Sequence, residues 1–272
     1  MHLRRLQPHP LLVPHIEDIW AFESADGLPP GDLRTIVPNG KPKVIMPYLG
    51  AIHSVSDGQA VRHDSSAMMV VGIMTTPVLL DGPGAVGIIG IQLKPASAYR
   101  LLGVSQHELT NSIHPFDDLL ERRERELHNA IGAAETVEQK VALIQALFIQ
   151  RLSGSVHRHT MIDQALQMIE VHTGRIPMND LCRSLGYSRR YLDMLFAEYV
   201  GISPKLVARI VRFQHFYQRW GQGATFKQFS CDMFDYYYDQ PHFIKEFKQF
   251  TGHAPVAFAQ QHNEVGRIFY QD

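Results

Sequence analysis

Residues 181–196 read LCRSLGYSRRYLDMLF, and three of them are spaced as in a tight turn between two helices. Cys182 is small enough to let two helices pack closely, and Gly186 supplies the positive φ that such a turn needs. Leu192 follows at the distance that anchors a second helix in a core. Ser188 is placed to cap that helix by accepting a backbone N–H. The spacing therefore predicts a helix-turn-helix unit.

The second helix of this unit has one apolar and one polar face. Leu192, Leu195 and Phe196 recur at helical spacing and are predicted to point inward. The side chains predicted to point outward are Arg189, Arg190, Asp193 and Met194. The second helix of such a unit enters the major groove, where arginine can donate two hydrogen bonds to guanine. Asp193 could accept from a cytosine amine or pair with an arginine of its own helix. We therefore predict that these four residues and Ser188 contact DNA.

A long amphipathic helix over 205–220 is predicted to connect this unit to a second one. Arg209 and Arg212 lie on its polar side and would suit phosphates. The second unit is predicted to begin near Thr225, and Asp239 is placed to cap its second helix. The side chains expected to face DNA from that helix are Gln240, Pro241, Ile244, Lys245 and Lys248, the last at a phosphate.

The charge of the chain is close to neutral but unevenly distributed. Its formal net charge is −1 over 272 residues, yet residues 181–220 carry seven Lys and Arg against two Asp and Glu. DNA binding requires such a local cluster rather than a high overall charge. The cluster agrees with DNA binding, although a solvated cationic helix face would give the same count.

The first hundred residues are predicted to be β-rich, because apolar runs of strand length alternate with turn sequences such as PNG at 38–40. From Pro95 the pattern becomes helical, and two further helices are predicted over 119–131 and 137–152. The predicted fold class is α+β. Its parts are a β-rich domain at 1–115, a helical connector at 116–155 and an all-α domain with two helix-turn-helix units at 158–265.

The region from about 158 to 262 resembles the AraC/XylS family of bacterial transcription regulators. The resemblance rests on LCRSLGYSRRYL at 181–192, GISP at 201–204, RIVRF at 209–213, YDQPHF at 238–243 and FTGHAP at 250–255. It implies that helices over 188–199 and 239–250 enter adjacent segments of the major groove. Where the family has a small residue and a glycine before the second reading helix, this chain has Asp232 and Tyr236. Alternatively, Phe229 and Ser230 take the apolar and small positions, and two extra residues lengthen the turn. In either case we expect the second unit to read DNA less specifically.

The first half is more loosely similar to a group within the same family, through VPNG at 37–40 and GIQLKPA at 90–96. This resemblance implies a small β-domain with helices and a cupin-like sheet, and it identifies no ligand. The domain is expected to be either a small-molecule sensor or a structural dimerisation domain. An apolar cavity of roughly 300 Å³ or more would favour the sensor, and a filled core would favour dimerisation.

Other functions find little support in the sequence. There is no apolar run of about 18 residues and no secretory signal, and the two cysteines, Cys182 and Cys231, are isolated, so a cytoplasmic protein is expected. No hydrolase elbow, Walker loop or dinucleotide-binding motif occurs, so no enzyme is expected. The 15 histidines lack the spacing of a metal-ligand set, so neither a metal nor another cofactor is expected.

The sequence as a whole predicts a sequence-specific DNA-binding transcription regulator whose partner is double-stranded DNA. A small-molecule effector and a homodimer are left open. The alternative is a small-molecule-binding module whose helix-turn-helix domain binds DNA only weakly.

Overall fold

The first half of the chain forms two antiparallel sheets. The computed structural model describes residues 1–28, 35–56, 59–154, 160–221 and 236–259. The strands within these ranges are β1 (His2–Leu6), β2 (Ile16–Ser24), β3 (Thr35–Ile36), β4 (Lys43–Leu49), β5 (Ile52–Ser56), β6 (Gln59–His63), β7 (Met69–Val71), β8 (Val78–Asp81), β9 (Val86–Leu93) and β10 (Ile113–Pro115). The first sheet has the order β1-β2-β9-β4-β7-β10, and the second has the order β3-β8-β5-β6.

The rest of the described chain is mainly helical, which confirms the α+β prediction. The α-helices are α1 (Pro95–Leu102), α2 (Arg125–Ala133), α3 (Val137–Gly154), α4 (Thr160–Val171), α5 (Met178–Leu185), α6 (Arg189–Tyr199), α7 (Pro204–Gly221), α8 (Gln240–Thr251) and α9 (Pro255–Ala259). Within the described ranges, no helix is both long and apolar enough to cross a membrane.

The two faces of the first sheet pack against different partners, because successive strand residues point to opposite sides. On β2, Ile19 and Ala21 pack toward the side covered by α1 and α3. Trp20 and Phe22 belong to a separate apolar cluster that includes Ile52 of the second sheet. The space between the two sheets is therefore lined by the alternate residues of each strand.

The predicted start of the helix over 119–131 is wrong. Residues 116–119 and 122–124 form short 3₁₀ helices, and α2 begins only at Arg125. Helix α2 begins later than predicted because a capping box joins Glu121 and Glu124 in the preceding 3₁₀ turn. Glu124 is also fully buried and accepts hydrogen bonds from the Arg151 guanidinium at 2.7–2.8 Å. An ion pair with α3 thus fixes this segment.

The predicted helical connector at 116–155 packs into the core of the first half. Ile131 of α2 and Ile144 and Phe148 of α3 are buried in one cluster with residues of the first sheet. Arg151 also donates to the carbonyl oxygens of Leu101 and Leu102 at 2.9 and 3.3 Å, which ties α3 to the end of α1. These helices therefore form part of the β-domain's core.

Helices α4 to α9 share a second core, which also takes in residues of the first half. Val37 and Ile73 are buried in this core among helical residues. The ring of Tyr99 on α1 lies 4.6 Å from that of Tyr199 on α6. The Thr110 hydroxyl donates to the Gly201 carbonyl at 2.8 Å. The end of α6 is therefore held directly against the first half.

Candidate nucleic-acid interface and ligand cavity

Helices α5 and α6 form a helix-turn-helix whose turn follows the sequence prediction. Gly186 ends α5 with a φ of 75°, and Tyr187 N–H donates to the Cys182 carbonyl at 3.2 Å. This is the left-handed glycine cap that stops one helix before another begins. The Ser188 hydroxyl accepts from Tyr191 N–H at 3.3 Å and caps α6, as predicted. Leu192 is fully buried and fixes the inward face of α6.

The first turns of α6 are open to solvent. Ser188, Arg189 and Arg190 are exposed, and the Met194 side chain keeps 54% of its surface accessible. Arg189 Nε lies 3.3 Å from Asp193 Oδ2, so this pair forms the intrahelical contact that was one of the two readings of Asp193. No described residue pairs with Arg190. The structure therefore brings together a cationic, accessible face at the start of the second helix.

Helix α8 presents the second set of predicted contact residues. Asp239 caps it by accepting from His242 N–H at 2.8 Å, as predicted. The exposed residues of this helix include Gln240, Pro241, Ile244, Lys245 and Lys248. The first helix of the predicted second unit, including Thr225 and Asp232, lies outside the described residues. The second helix-turn-helix therefore stays a prediction. The face of α8 that is predicted to contact DNA is accessible to solvent.

Arg209 and Arg212 are engaged inside the protein rather than free on the polar side of α7. Arg209 Nε lies 2.6 Å from Glu246 Oε2, and Arg212 Nη2 lies 2.8 Å from Glu246 Oε1. The Glu246 side chain is only 1% exposed and that of Arg212 is 15% exposed. The Arg212 guanidinium also lies 4.8 Å from the centre of the Tyr237 ring. Both arginines therefore hold α8 against α7, and their contact with phosphates stays a prediction.

A cavity of about 750 Å³ opens between the two sheets and extends to the helical half. Its apolar wall comes from alternate strand residues, including Trp20, Phe22, Ile45, Met69 and Ile88. Its other side is formed by α4 and α7, through Leu166 and Val211 among others. Sites at the junction of two structural units are common places for small ligands. A ligand in this cavity would touch both halves of the chain.

The cavity holds one lysine in an unusual environment. Lys43 on β4 donates to Asn39 Oδ1 at 3.1 Å and to the Lys41 carbonyl at 3.2 Å. Burial, and then the positive charge of Lys41, lower the pKa of Lys43 to about 8. Asn39 Nδ2 donates in turn to Gln92 Oε1 at 2.8 Å. The wall therefore carries an ammonium group that water solvates poorly.

Sequence reasoning missed Lys43, Asn39 and Glu246 as site residues. The signal for Lys43 is the alternation of its strand, since Lys43 and Ile45 share one face while Val44 and Met46 share the other. Both faces of that strand are largely apolar, so a lysine on either must point into the protein. Glu246 carries no such signal, because its partners lie more than thirty residues away. Among the described residues, no three His, Cys, Asp or Glu side chains cluster as metal ligands.

Comparison with known proteins gives one family match and several distant structural similarities. Residues 4–115 match the family described as Domain of unknown function (DUF6597). No curated protein matches the chain. A structure of ToxT from Vibrio cholerae is 12% identical, with 90% of this chain and 98% of that one covered and a TM-score of 0.48. A structure of ToxT bound to an unsaturated fatty acid is 11% identical, with 90% and 95% covered and a TM-score of 0.48.

A further similarity is to the AraC-like transcriptional activator CuxR. It is 18% identical, with 76% of each chain covered and a TM-score of 0.28.

Proposed function

We propose that this protein is a sequence-specific DNA-binding transcription regulator whose activity is controlled by a small molecule in the β-domain cavity. The observation that carries the first part is the exposed cationic start of α6, the second helix of a helix-turn-helix. A helix in this position lies in the major groove, with its first residues at base edges. We further propose that the protein acts in the cytoplasm and that residues 158–265 form the DNA-binding domain.

The contact residues divide into those that read bases and those that position the protein. Arg190 and Arg189 are assigned to bases in one groove segment, and Gln240 and Lys245 to bases in the next, roughly 34 Å along the axis. Lys248 is assigned to a phosphate. Met194, Pro241 and Ile244 would make apolar contacts with the groove, and Ser188 sets the start of the reading helix. Arg209 and Arg212 support this surface by holding α8.

The experiment that tests the proposal is selection of bound duplexes from random DNA with the purified full-length chain. We expect enrichment of a defined motif whose binding weakens steeply with salt, because phosphate contacts release counterions. Equal recovery of all sequences would reject sequence-specific recognition. A motif with a single half-site would assign reading to α6 alone, and one with two half-sites a helical turn apart would include α8.

A second candidate function is a small-molecule-binding module that binds DNA only weakly, and the 750 Å³ cavity favours it. Both candidate functions involve a ligand in the cavity, but they predict different affinities for DNA. A specific complex is expected to be at least about a thousandfold tighter than binding to unrelated duplex DNA. A selected site that competes no better than unrelated DNA would support the binding module.

A further inference from the structure

Among the described residues that line the cavity, two lysines donate only to neutral oxygens: Lys43, and Lys94, whose Nζ donates to the Val13 carbonyl at 3.0 Å. Arg5 Nε lies 3.5 Å from Asp18 Oδ2, and Lys41 Nζ lies 3.0 Å from Glu17 Oε1. His215 and Glu170 also meet on the wall, at 3.1 Å between His215 Nε2 and Glu170 Oε1. Lys43 has two neutral oxygen acceptors for the three N–H bonds of its ammonium and no carboxylate partner. Lys43 is half-buried, and a poorly solvated charge of this kind is stabilised by an anion.

The neutral polar groups of the wall are largely occupied with each other or with the backbone. Ser54 Oγ lies 2.8 Å from His63 Nε2, and Asn39 is bonded to Gln92. A neutral polyhydroxylated ligand would need several unoccupied donors and acceptors, because unpaired polar groups in a closed site weaken binding. The wall instead offers the ammonium groups of Lys43 and Lys94, which have no carboxylate partner among the described residues, and a large apolar surface.

We propose that the cavity binds an amphipathic monoanion, with its acidic head on Lys43 Nζ and its apolar body between the two sheets against Trp20 and Ile88. The ligand class is an organic acid with an aliphatic or aromatic tail, and a cavity of 750 Å³ is large enough for it. This inference deepens the proposed control by a small molecule. Its binding step does not rest on the proposed function, whereas the coupling to DNA does.

The segment 37–40 links the Lys43 ammonium to the helix that carries the DNA-binding units. Asn39 accepts from Lys43, and the neighbouring Pro38 carbonyl accepts from Gln214 Nε2 of α7 at 2.6 Å. Val37 is buried in the helical core. Through Glu246, α7 in turn holds α8. An acid that displaces Lys43 from Asn39 would therefore alter the contact between segment 37–40 and α7.

The binding step is tested by calorimetry on the full chain without DNA, using decanoate and 4-phenylbutyrate with their alcohol analogues, decanol and 4-phenylbutanol. We expect at least one acid to bind about 10- to 100-fold more tightly than its alcohol, because charge-assisted hydrogen bonds are worth more than neutral ones. Lys43→Met should remove that preference, and Lys43→Arg should retain part of it. Lys41→Met, which removes a cation already paired with Glu17, should change the acid's affinity less than threefold.

Two results would overturn the assignment. One is that neither acid binds better than its alcohol, and the other is that Lys43→Met, with an unchanged circular dichroism spectrum, binds the acids as wild type does. If Lys41→Met weakened acid binding as much as Lys43→Met does, Lys43 would likewise be rejected as the residue that binds the acidic head. None of these outcomes affects the DNA selection, so failure here and failure of the proposed function are distinguishable.

The coupling step is tested with the duplex obtained from the selection. We expect the bound acid to change the dissociation constant for that duplex at least threefold, and the duplex to change the acid's affinity by the same factor, since coupling is reciprocal. Gln214→Leu should abolish both effects while each ligand alone still binds. Coupling that is absent in wild type, or intact in Gln214→Leu, would overturn the path through segment 37–40.

Discussion

At the scale of single residues, Lys43 imposes a pH-dependent penalty on folding. Its pKa is about 8 in the folded protein, below the ordinary value of 10.5. Between these two pH values the unfolded chain binds the proton and the folded chain does not, so the free energy of unfolding rises with pH there. Below pH 8 the folded protein carries the full penalty of a poorly solvated ammonium.

This leads to a prediction for Lys43→Met, which removes the charge and keeps a chain of similar length. At pH 7 the variant should be more stable than wild type by up to about 3 kcal/mol, from about 1.4 kcal/mol per pKa unit. The advantage should shrink as pH rises from 8 to 10. Urea unfolding of both proteins across pH 6–10 measures the difference, in which the other titrating groups cancel. A difference that stays constant over this range would show that Lys43 is well solvated.

Arg190 is exposed at the start of α6, and no described residue pairs with it. Arg190→Ala should weaken binding to the selected duplex by about 1–3 kcal/mol and relax the preference at one base pair. Arg62→Ala is the control, because it removes another exposed arginine, from β6 of the second sheet. Binding is measured by fluorescence anisotropy with single-base variants of the site. An unaltered base preference in Arg190→Ala would remove this residue from the reading surface.

At the scale of secondary-structure elements, the contact between α7 and α8 depends on one carboxylate shared by two arginines. Glu246 is almost fully buried and accepts from Arg209 and Arg212 at 2.6–3.0 Å. Loss of one partner of a buried ion pair leaves the other charges uncompensated. These ion pairs fix the position of α8 against α7, which also packs on α6.

Glu246→Ala should therefore lower the free energy of unfolding by about 3–5 kcal/mol, the usual result of breaking a buried ion pair. Glu170→Ala is the control, since Glu170 is exposed where it meets His215 of the same α7 and should change stability by less than about 1 kcal/mol. Urea unfolding followed by circular dichroism measures both. Equal effects of the two substitutions would mean that Glu246 contributes no more than a surface charge.

The same elements indicate which features a sequence can reveal. The turn at Gly186, the caps at Ser188 and Asp239 and the inward side of α6 are set within about ten residues, and each was predicted. The start of α2 was mispredicted because a partner on α3 fixes it. The ion pairs of Glu246 and the cavity around Lys43 depend on segments distant in the sequence, so neither has a local pattern that periodicity or capping rules could detect.

At the scale of the whole molecule, the two halves meet tightly where α6 ends. Gly201 has a φ of 96°, and a Cβ built there would lie 2.7 Å from the Gln106 carbonyl oxygen and from the Thr110 hydroxyl. Gly186, in the turn between α5 and α6, has a φ of 75° and open space around it. The two glycines thus carry similar backbone constraints, but only one touches the other half of the chain.

This contrast yields a prediction about the interface between the halves. Gly186→Ala should lose about 1–2 kcal/mol of stability from the left-handed backbone alone. Gly201→Ala should lose more, because it also forces residues 106–110 away from the end of α6. Hydrogen exchange measures this directly, with faster exchange expected over 106–110 and 196–203 in Gly201→Ala and not in Gly186→Ala. Equal exchange in both variants would show that the two halves are not held together at this point, and that a signal from the cavity must reach α6 through α7 alone.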